Sequence, residues 1–399
     1  MTIDEGDSTF AARLHGELRT RTGNLFYSPA SVRIALTMAW AGARAETAAE
    51  MQETLVLRPE NQVHERFAAM LRGWQALGHP QDIWPPRPDE SLRSSDEEQR
   101  GRRRLTLSMV NRLWAQSGYA FRDEFLAVLR DLYEAPPALL DFHGAPEASR
   151  LAINTWVDEA SRHKIRELLE PGTVTRETLM VLTNVVYFKA TWAHPFRPEA
   201  TTEQPFFVTP DRQVQAPLMR KVSSFPLGFF DDGQILELPY STGDLVMDIV
   251  LPTANDGLPL IEAQLAAGAL GGWLAALSRG TQVEVLLPRF CTSSSFKLAG
   301  VLAKLGMSKA FRRETADFSA MFGTRDLFIG DVVHQAFVDL DESGTEAAAA
   351  NASFLTLGRS ARLGPPHRFH ADHPFLFLIR DKRNGVVLFV GRLADPTAG

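Results

Sequence analysis

Val338-Asp339-Leu340-Asp341-Glu342-Ser343-Gly344-Thr345-Glu346-Ala347-Ala348-Ala349-Ala350-Asn351-Ala352-Ser353-Phe354-Leu355-Thr356-Leu357-Gly358-Arg359-Ser360 is the stretch on which the fold turns. Glu346 and the alanine run favour helix by propensity, yet no amphipathic stripe is present to hold a helix on a core. The stretch runs on to Pro365-Pro366, which is too long for an ordinary connection between elements. One reading is a surface loop. The other uses the two-residue period of a strand. Extended, Thr345, Ala347, Ala349, Asn351 and Ser353 point one way, and all are small or modest in size. Such a strand is built to slip between two existing strands over a packed core.

The surroundings are those of a soluble globular protein. The chain has 399 residues, enough for a large core, with a net charge of -6. That charge argues against a general nucleic-acid binder. Arg exceeds Lys along the whole length, which reads as genome composition. The lone Cys291 excludes an internal disulfide and, after an apolar strand, reads as a structural thiol. No apolar run approaches a membrane span. The first residues, acidic and without an uninterrupted apolar stretch, do not form a secretory signal. The cytoplasm is therefore the expected compartment, with an extracellular location left open if a leader precedes Met1. Asn351-Ala352-Ser353 is a glycosylation sequon that matters only after export.

Periodicity places the elements. Ser28-Pro29 supplies an N-cap and a first-turn proline. Val32, Ala35, Leu36 and Ala39 then share one face until Gly42. Helices are expected over 45–55 and 63–77. The segment 79–104, with Trp84-Pro85-Pro86 and Arg100-Gly101-Arg102-Arg103-Arg104, reads as an exposed insertion. Leu105, Leu107 and Met109 begin a strand. The clearest helix is expected over 151–169, with Ile153, Trp156, Val157, Ala160, Ile165, Leu168 and Leu169 as its apolar stripe, ended by Pro171-Gly172. A buried strand follows over 181–188. Later strands lie near Phe206 and over 235–238, 245–251 and 283–287. A last pair, 375–379 and 386–390, flanks Asn384-Gly385, a hairpin signal. Helices gather early and strands late, so the class is α+β. One domain is expected over 1–399, with no internal repeat.

Many short stretches of the chain resemble one family in order and spacing. The run Gly344 to Ala350 resembles the hinge of the serpins. Upstream stand Asn24, Ser28-Pro29, Ser31, Ala35-Leu36, Gly42-Ala43, Asn154, Trp156-Val157, Asn184, Tyr187-Phe188-Lys189 and Trp192. Later come Leu236-Glu237-Leu238-Pro239-Tyr240, Pro288-Arg289-Phe290, Ala316-Asp317-Phe318-Ser319, Ala371-Asp372-His373-Pro374-Phe375 and Phe389-Val390-Gly391-Arg392. Each alone is weak; together they cover nearly the whole chain, and only 79–104 lies outside the pattern. The resemblance implies a serpin fold with three β-sheets, eight or nine helices and an exposed reactive-centre loop over 342–366.

Its implied activity is suicide inhibition. A target serine protease attacks the loop, an acyl-enzyme forms, and the cut loop inserts as a new central strand before deacylation. The alternative is a non-inhibitory serpin whose loop is only cleaved as substrate or serves partner binding. The hinge, Glu342, Gly344, Thr345, Glu346, Ala347, Ala348, Ala349 and Ala350, carries no proline or bulky side chain and favours insertion. Asn351 departs from the family's usual Thr or Ser; a buried amide must find partners, so slower insertion is expected. We read the reactive bond as Arg359-Ser360, whose guanidinium suits a trypsin-like pocket. Gly358-Arg359, at the commonest family spacing, would suit elastase- or subtilisin-like enzymes, and a cut at Arg362 is a third register.

The resemblance also implies a gating cluster under the sheet, Ser28, Ser31, Asn184 and His334. It implies a second group where the loop first inserts, Trp192, Arg289 and Glu342, with a surface ion pair between Glu342 and Arg289. No catalytic residues, metal or cofactor are expected: there is no Gly-x-Ser-x-Gly elbow, no spaced Cys/His set and no glycine-rich phosphate loop. The partner is the protease, covalently bound to a monomer. Arg100, Arg102, Arg103 and Arg104 read as a solvated loop rather than a polyanion site.

Overall fold

The computed structural model describes residues 5–58, 62–77, 105–161, 163, 165–345 and 365–398. The insertion 79–104, the hinge from Glu346 onward and every register of the reactive bond lie outside the described residues. Strands are numbered in chain order: β1 Leu25–Tyr27, β2 Leu105–Gln116, β3 Ala138–Leu140, β4 Met180–Thr191, β5 Thr202–Thr209, β6 Arg212–Phe230, β7 Gly233–Pro239 and β8 Leu245–Pro252. Then follow β9 Ser278–Pro288, β10 Phe290–Lys297, β11 Asp331–Leu340, β12 Gly344–Thr345, β13 His367–His370, β14 Phe375–Asp381 and β15 Val387–Leu393. Ten α-helices stand among the described residues, all but four of them before β5.

The strands form two hydrogen-bonded arrays. One is six-stranded, in the order β10-β11-β12-β4-β2-β3. In it β4 and β11 run side by side in parallel, from Asp331 opposite Val181 to Phe337 opposite Tyr187. The other runs β1-β15-β14-β8-β7-β6-β9-β13, with β5 on β6. The long β6 serves two groups: Arg212–Leu218 pairs with β5, Leu218–Leu227 with β9, and its far end, Leu227–Phe230, with β7. The architecture is α+β, with β6 joining two groups of strands inside one hydrogen-bonded sheet.

The helix Pro29–Trp40 follows from the rules that predicted it. Ser28 caps it by accepting from the Ser31 N–H, and Pro29 occupies the first turn. It is buried along almost its whole length, as a helix apolar on all sides should be, and it contacts β2, β4 and β15. Phe26, Phe377 and Phe389 stack close by, with ring centroids 5.0 to 5.8 Å apart. The hairpin at Asn384-Gly385 is present. It carries a register shift after Ile379, and Gly385 takes φ 78.

The helix expected over 151–169 is displaced. It spans Pro146–Ala160, starting on a first-turn proline and stopping at Ser161. There the Ser161 hydroxyl takes the Ile165 N–H (3.0 Å), and His163 adopts φ 63. Beyond this point Asn154 clamps Leu169 through both backbone groups, each at 2.9 Å. Ile165, Leu168 and Leu169 are buried beside Ile153 and Val157, so the apolar pattern predicted burial correctly while the side-chain hydrogen bonds ended the helix. Cys291 also departs from expectation. It is exposed on β10, because strand alternation turns Phe290 and Thr292 inward and Cys291 out.

Candidate functional site at the open end of the six-stranded sheet

The parallel seam between β4 and β11 closes only as far as Phe337 and Tyr187. Beyond it the two strands part, and the first residues of the hinge fill the gap. Asp341 and Gly344 exchange both backbone hydrogen bonds, 2.8 and 3.3 Å, around Glu342-Ser343. The Asp341 carboxylate also accepts from the Ser343 and Gly344 N–H groups at 2.7 and 3.1 Å. This tight turn sends the chain back as β12, antiparallel to both neighbours: Thr345 lies opposite Leu340 on β11 and Ala190 on β4. Gly344 has φ +149, and a Cβ there would stand 2.1 Å from the Ala190 carbonyl oxygen, so the turn requires glycine.

Thr345 is fully buried. Its hydroxyl shares a 2.9 Å hydrogen bond with the Tyr240 hydroxyl. Tyr240 is held in turn by stacking on Trp192, 4.6 Å between centroids, and by the edge of Phe188 at 5.2 Å. The Trp192 indole donates to the Asp341 carbonyl (3.1 Å), and its backbone N–H to the Ser343 carbonyl (2.9 Å). Trp192 therefore braces the turn from which the loop departs.

Glu342 and Arg289 are paired, as expected, with Nε 2.9 and 3.0 Å from the two carboxylate oxygens. The pair is not a simple surface one. The Arg289 side chain is 45% exposed but that of Glu342 only 6%, and Thr201 donates a further hydrogen bond to the same carboxylate. Burial pushes the Glu342 carboxyl upward, but the hydrogen bonds from Arg289 and Thr201 outweigh it and hold it below its ordinary value. Removing Arg289 leaves a mostly buried carboxylate short of its charged donor. We expect Arg289→Ala and Glu342→Gln each to lower stability by about 1–2 kcal/mol, with a coupling of about 1 kcal/mol in a double-mutant cycle. Additive losses would show that the pair does not act as a unit. Because the folded carboxyl is depressed, its contribution is present above the unfolded carboxyl range and is lost as pH falls through the folded value.

The buried polar cluster expected under the sheet assembles on a single rung six residues further along β4 and β11. His334 on β11 is opposite Asn184 on β4, and Asn184 is opposite Asn111 on β2. Burial pulls His334 down to about 3, so it is neutral. Its Nε2 accepts from the Ser28 N–H at 3.0 Å, which leaves Nδ1–H to donate to Asn184 Oδ1. The Asn184 amide donates to Ser31 and to Asn111, and Ser28 donates to the Leu388 carbonyl (2.6 Å). Ser28, Ser31, Asn184 and His334 are all fully buried. The His334–Asn184 bond crosses the seam that must open for a strand to enter.

Asn111, Thr201 and Tyr240 belong to these groups without having been assigned to them from the sequence, although Tyr240 ends one of the stretches that carry the resemblance. Asn111 had a signal, since it falls in phase with Leu105, Leu107, Met109 and Leu113 on the inward face of β2, where an amide needs a partner. Nothing in this site is a nucleophile, a base or a metal ligand set. The described residues here are two strands that part and, between them, the two-residue strand β12.

The comparisons with known proteins agree with that geometry. The family model Serpin (serine protease inhibitor) matches residues 5–396. The horse (Equus caballus) leukocyte elastase inhibitor is 37% identical over 382 residues, 94% of each chain. Uncleaved ovalbumin superposes with TM-score 0.82 at 26% identity, covering 99% of this chain and all of the other. Serpin48 of the insect Tenebrio molitor gives 0.82 at 28%, covering 98% and 97%. The chain belongs to the serpins, a family of serine protease inhibitors and not of enzymes.

Proposed function

We propose that the chain inhibits its target as a suicide substrate, by inserting its cut loop between β4 and β11. The observation that carries this reading is β12. Gly344 and Thr345 already occupy the first rung of a strand antiparallel to both neighbours, and the loop continues directly from it. The opposite face of the seam supports the reading as well. Val181, Val185 and Val333 lie there beneath Ile153 and Val157 of the helix Pro146–Ala160. A strand entering under that helix needs small side chains, and Ala348, Ala350 and Ala352 supply them in alternation.

The target we infer is trypsin-like, with cleavage at Arg359-Ser360. A second reading has support from the relatives, which bear the name leukocyte elastase inhibitor: cleavage at Gly358-Arg359 by an elastase-like enzyme. Mixing the protein with trypsin should give a covalent complex stable on a denaturing gel, and mass spectrometry should find a released C-terminal peptide beginning at Ser360. A peptide beginning at Arg359, with elastase trapped and trypsin not, would overturn the target class while leaving the mechanism. A loop merely cut by both enzymes, with neither trapped, would overturn the inhibitory reading in favour of a substrate-like serpin.

A further inference from the structure

On the face of the six-stranded sheet that the helix Pro146–Ala160 covers, one rung crosses three strands. Arg112 on β2 is opposite Thr183 on β4, and Thr183 is opposite Val333 on β11. It neighbours the rung of Asn111, Asn184 and His334, and alternation turns the two to opposite faces. On that other face a buried hydrogen bond crosses the seam, from His334 to Asn184. On the helix face the polar contacts stop at β4. The Trp114 indole donates to the buried Thr183 hydroxyl at 2.9 Å, and that hydroxyl donates to the Arg112 carbonyl at 3.3 Å. From β11 the apolar cluster under the helix takes Val333 alone. The Arg112 side chain carries a charge with no carboxylate partner among the described residues. Its guanidinium lies over two indoles, 4.9 Å from the ring centre of Trp114 and 5.3 Å from that of Trp156. Trp114 is buried on β2, and Trp156 is half-buried on the helix. The two rings meet edge to face, 5.4 Å between centroids with planes at 81°. A cation over an indole face is drawn to the ring quadrupole, more strongly where water is excluded, and a planar guanidinium stacks on aromatic faces as an ammonium does not. Burial lowers the Arg112 guanidinium from its ordinary value, the mark of a charge partly withdrawn from water.

The hold on the helix is therefore lopsided: two indoles, a guanidinium and a hydroxyl on the side of β2 and β4, one valine on the side of β11. We propose that Arg112 is a positioning residue for inhibition, clipping Trp156, and with it the helix, to the β2–β4 side of the seam. The proposal rests on the insertion reading above. A strand that enters between β4 and β11 must part them beneath the helix. Clipped to one side, the helix leaves Val333 and keeps Trp114, Val181 and Val185. Unclipped, it rests on apolar contacts to both sides and bridges the gap that has to widen. Opening then slows, deacylation gains on it, and more of the protein is cut without trapping its target.

The test compares wild type with Arg112→Lys, which keeps the charge without the plane, and with Arg112→Met, which keeps the bulk without the charge. Two readouts are taken. The circular dichroism couplet of the paired indoles reports their mutual orientation, and its loss in Trp156→Phe identifies it. The stoichiometry of inhibition of the protease that wild type traps, trypsin or elastase, reports the balance of insertion against deacylation. Arg112→Met should shrink the couplet and raise the stoichiometry about fivefold, the factor that one desolvated cation–π contact represents. Arg112→Lys should fall between it and wild type, and the rate of cleavage should be the same in all three. Arg112→Met matching Arg112→Lys in both readouts would reduce the side chain to packing and overturn the clip, as would a couplet and a stoichiometry unchanged in both variants. A smaller couplet with unchanged stoichiometry overturns the role in inhibition and leaves only the contact. Wild type that traps neither protease overturns the inhibitory reading itself, while the couplet still shows whether Arg112 holds Trp156.

Discussion

On the proposed insertion mechanism, Thr345→Arg is expected to turn the inhibitor into a substrate of its target protease. Thr345 has no exposed surface, and it sits between two buried residues, Leu340 and Ala190. Its one polar atom is matched by Tyr240. An arginine there buries a charge against Tyr240, where the Thr345 hydroxyl now sits, a burial that costs several kcal/mol. The side chain escapes by unseating β12, and the strand loses its first rung. Attack on the loop by the protease does not involve this rung, so the rate of cleavage should be unchanged. Insertion must outrun deacylation, and a barrier raised by about 3 kcal/mol slows it roughly a hundredfold. The assay is the fraction of trypsin trapped per loop cut. It should collapse in Thr345→Arg and remain near the wild-type value in Thr345→Ser, which keeps the hydroxyl for Tyr240. Equal trapping by Thr345→Arg and wild type would mean that insertion does not begin at this rung.

Much of this site was legible in the sequence, and what was not has a physical reason. Local chemistry wrote the capped helix after Ser28 and the buried strand around Asn184, so pattern alone reached them. The end of the helix Pro146–Ala160 was not legible. The apolar stripe continues through Leu169, while the break depends on Asn154 and Ser161 reaching backbone groups of a later turn. The partners of Asn111 and Tyr240 are set by tertiary register. Asn111 meets Asn184 across 73 residues, and Tyr240 meets Thr345 across 105. Glu342 and Arg289 were paired in advance, but the deep burial of only one partner was not, and it changes the pair from a surface contact into a support of the turn that launches the loop.

Cutting the loop should raise the melting point of the protein. An inserted segment of about 15 residues spans roughly 50 Å as a strand. At about 1 kcal/mol net for each added hydrogen bond, the gain is on the order of 10–15 kcal/mol, comparable with the whole stability of an ordinary domain. For a chain of this size that is an upward shift of roughly 10–20 °C. The intact form, with β4 and β11 closed on each other below the first rung, is then metastable and is kept from insertion by a barrier. Ordinary proteolysis of a surface loop removes a constraint and leaves the melting point unchanged or lower. The central claim is that the segment after Thr345 is a missing strand. Its most direct test is a pair of thermal scans, of intact protein and of protein nicked once in the loop with both fragments retained. The insertion account predicts that the nicked form melts well above the intact one; equal or lower melting would contradict it.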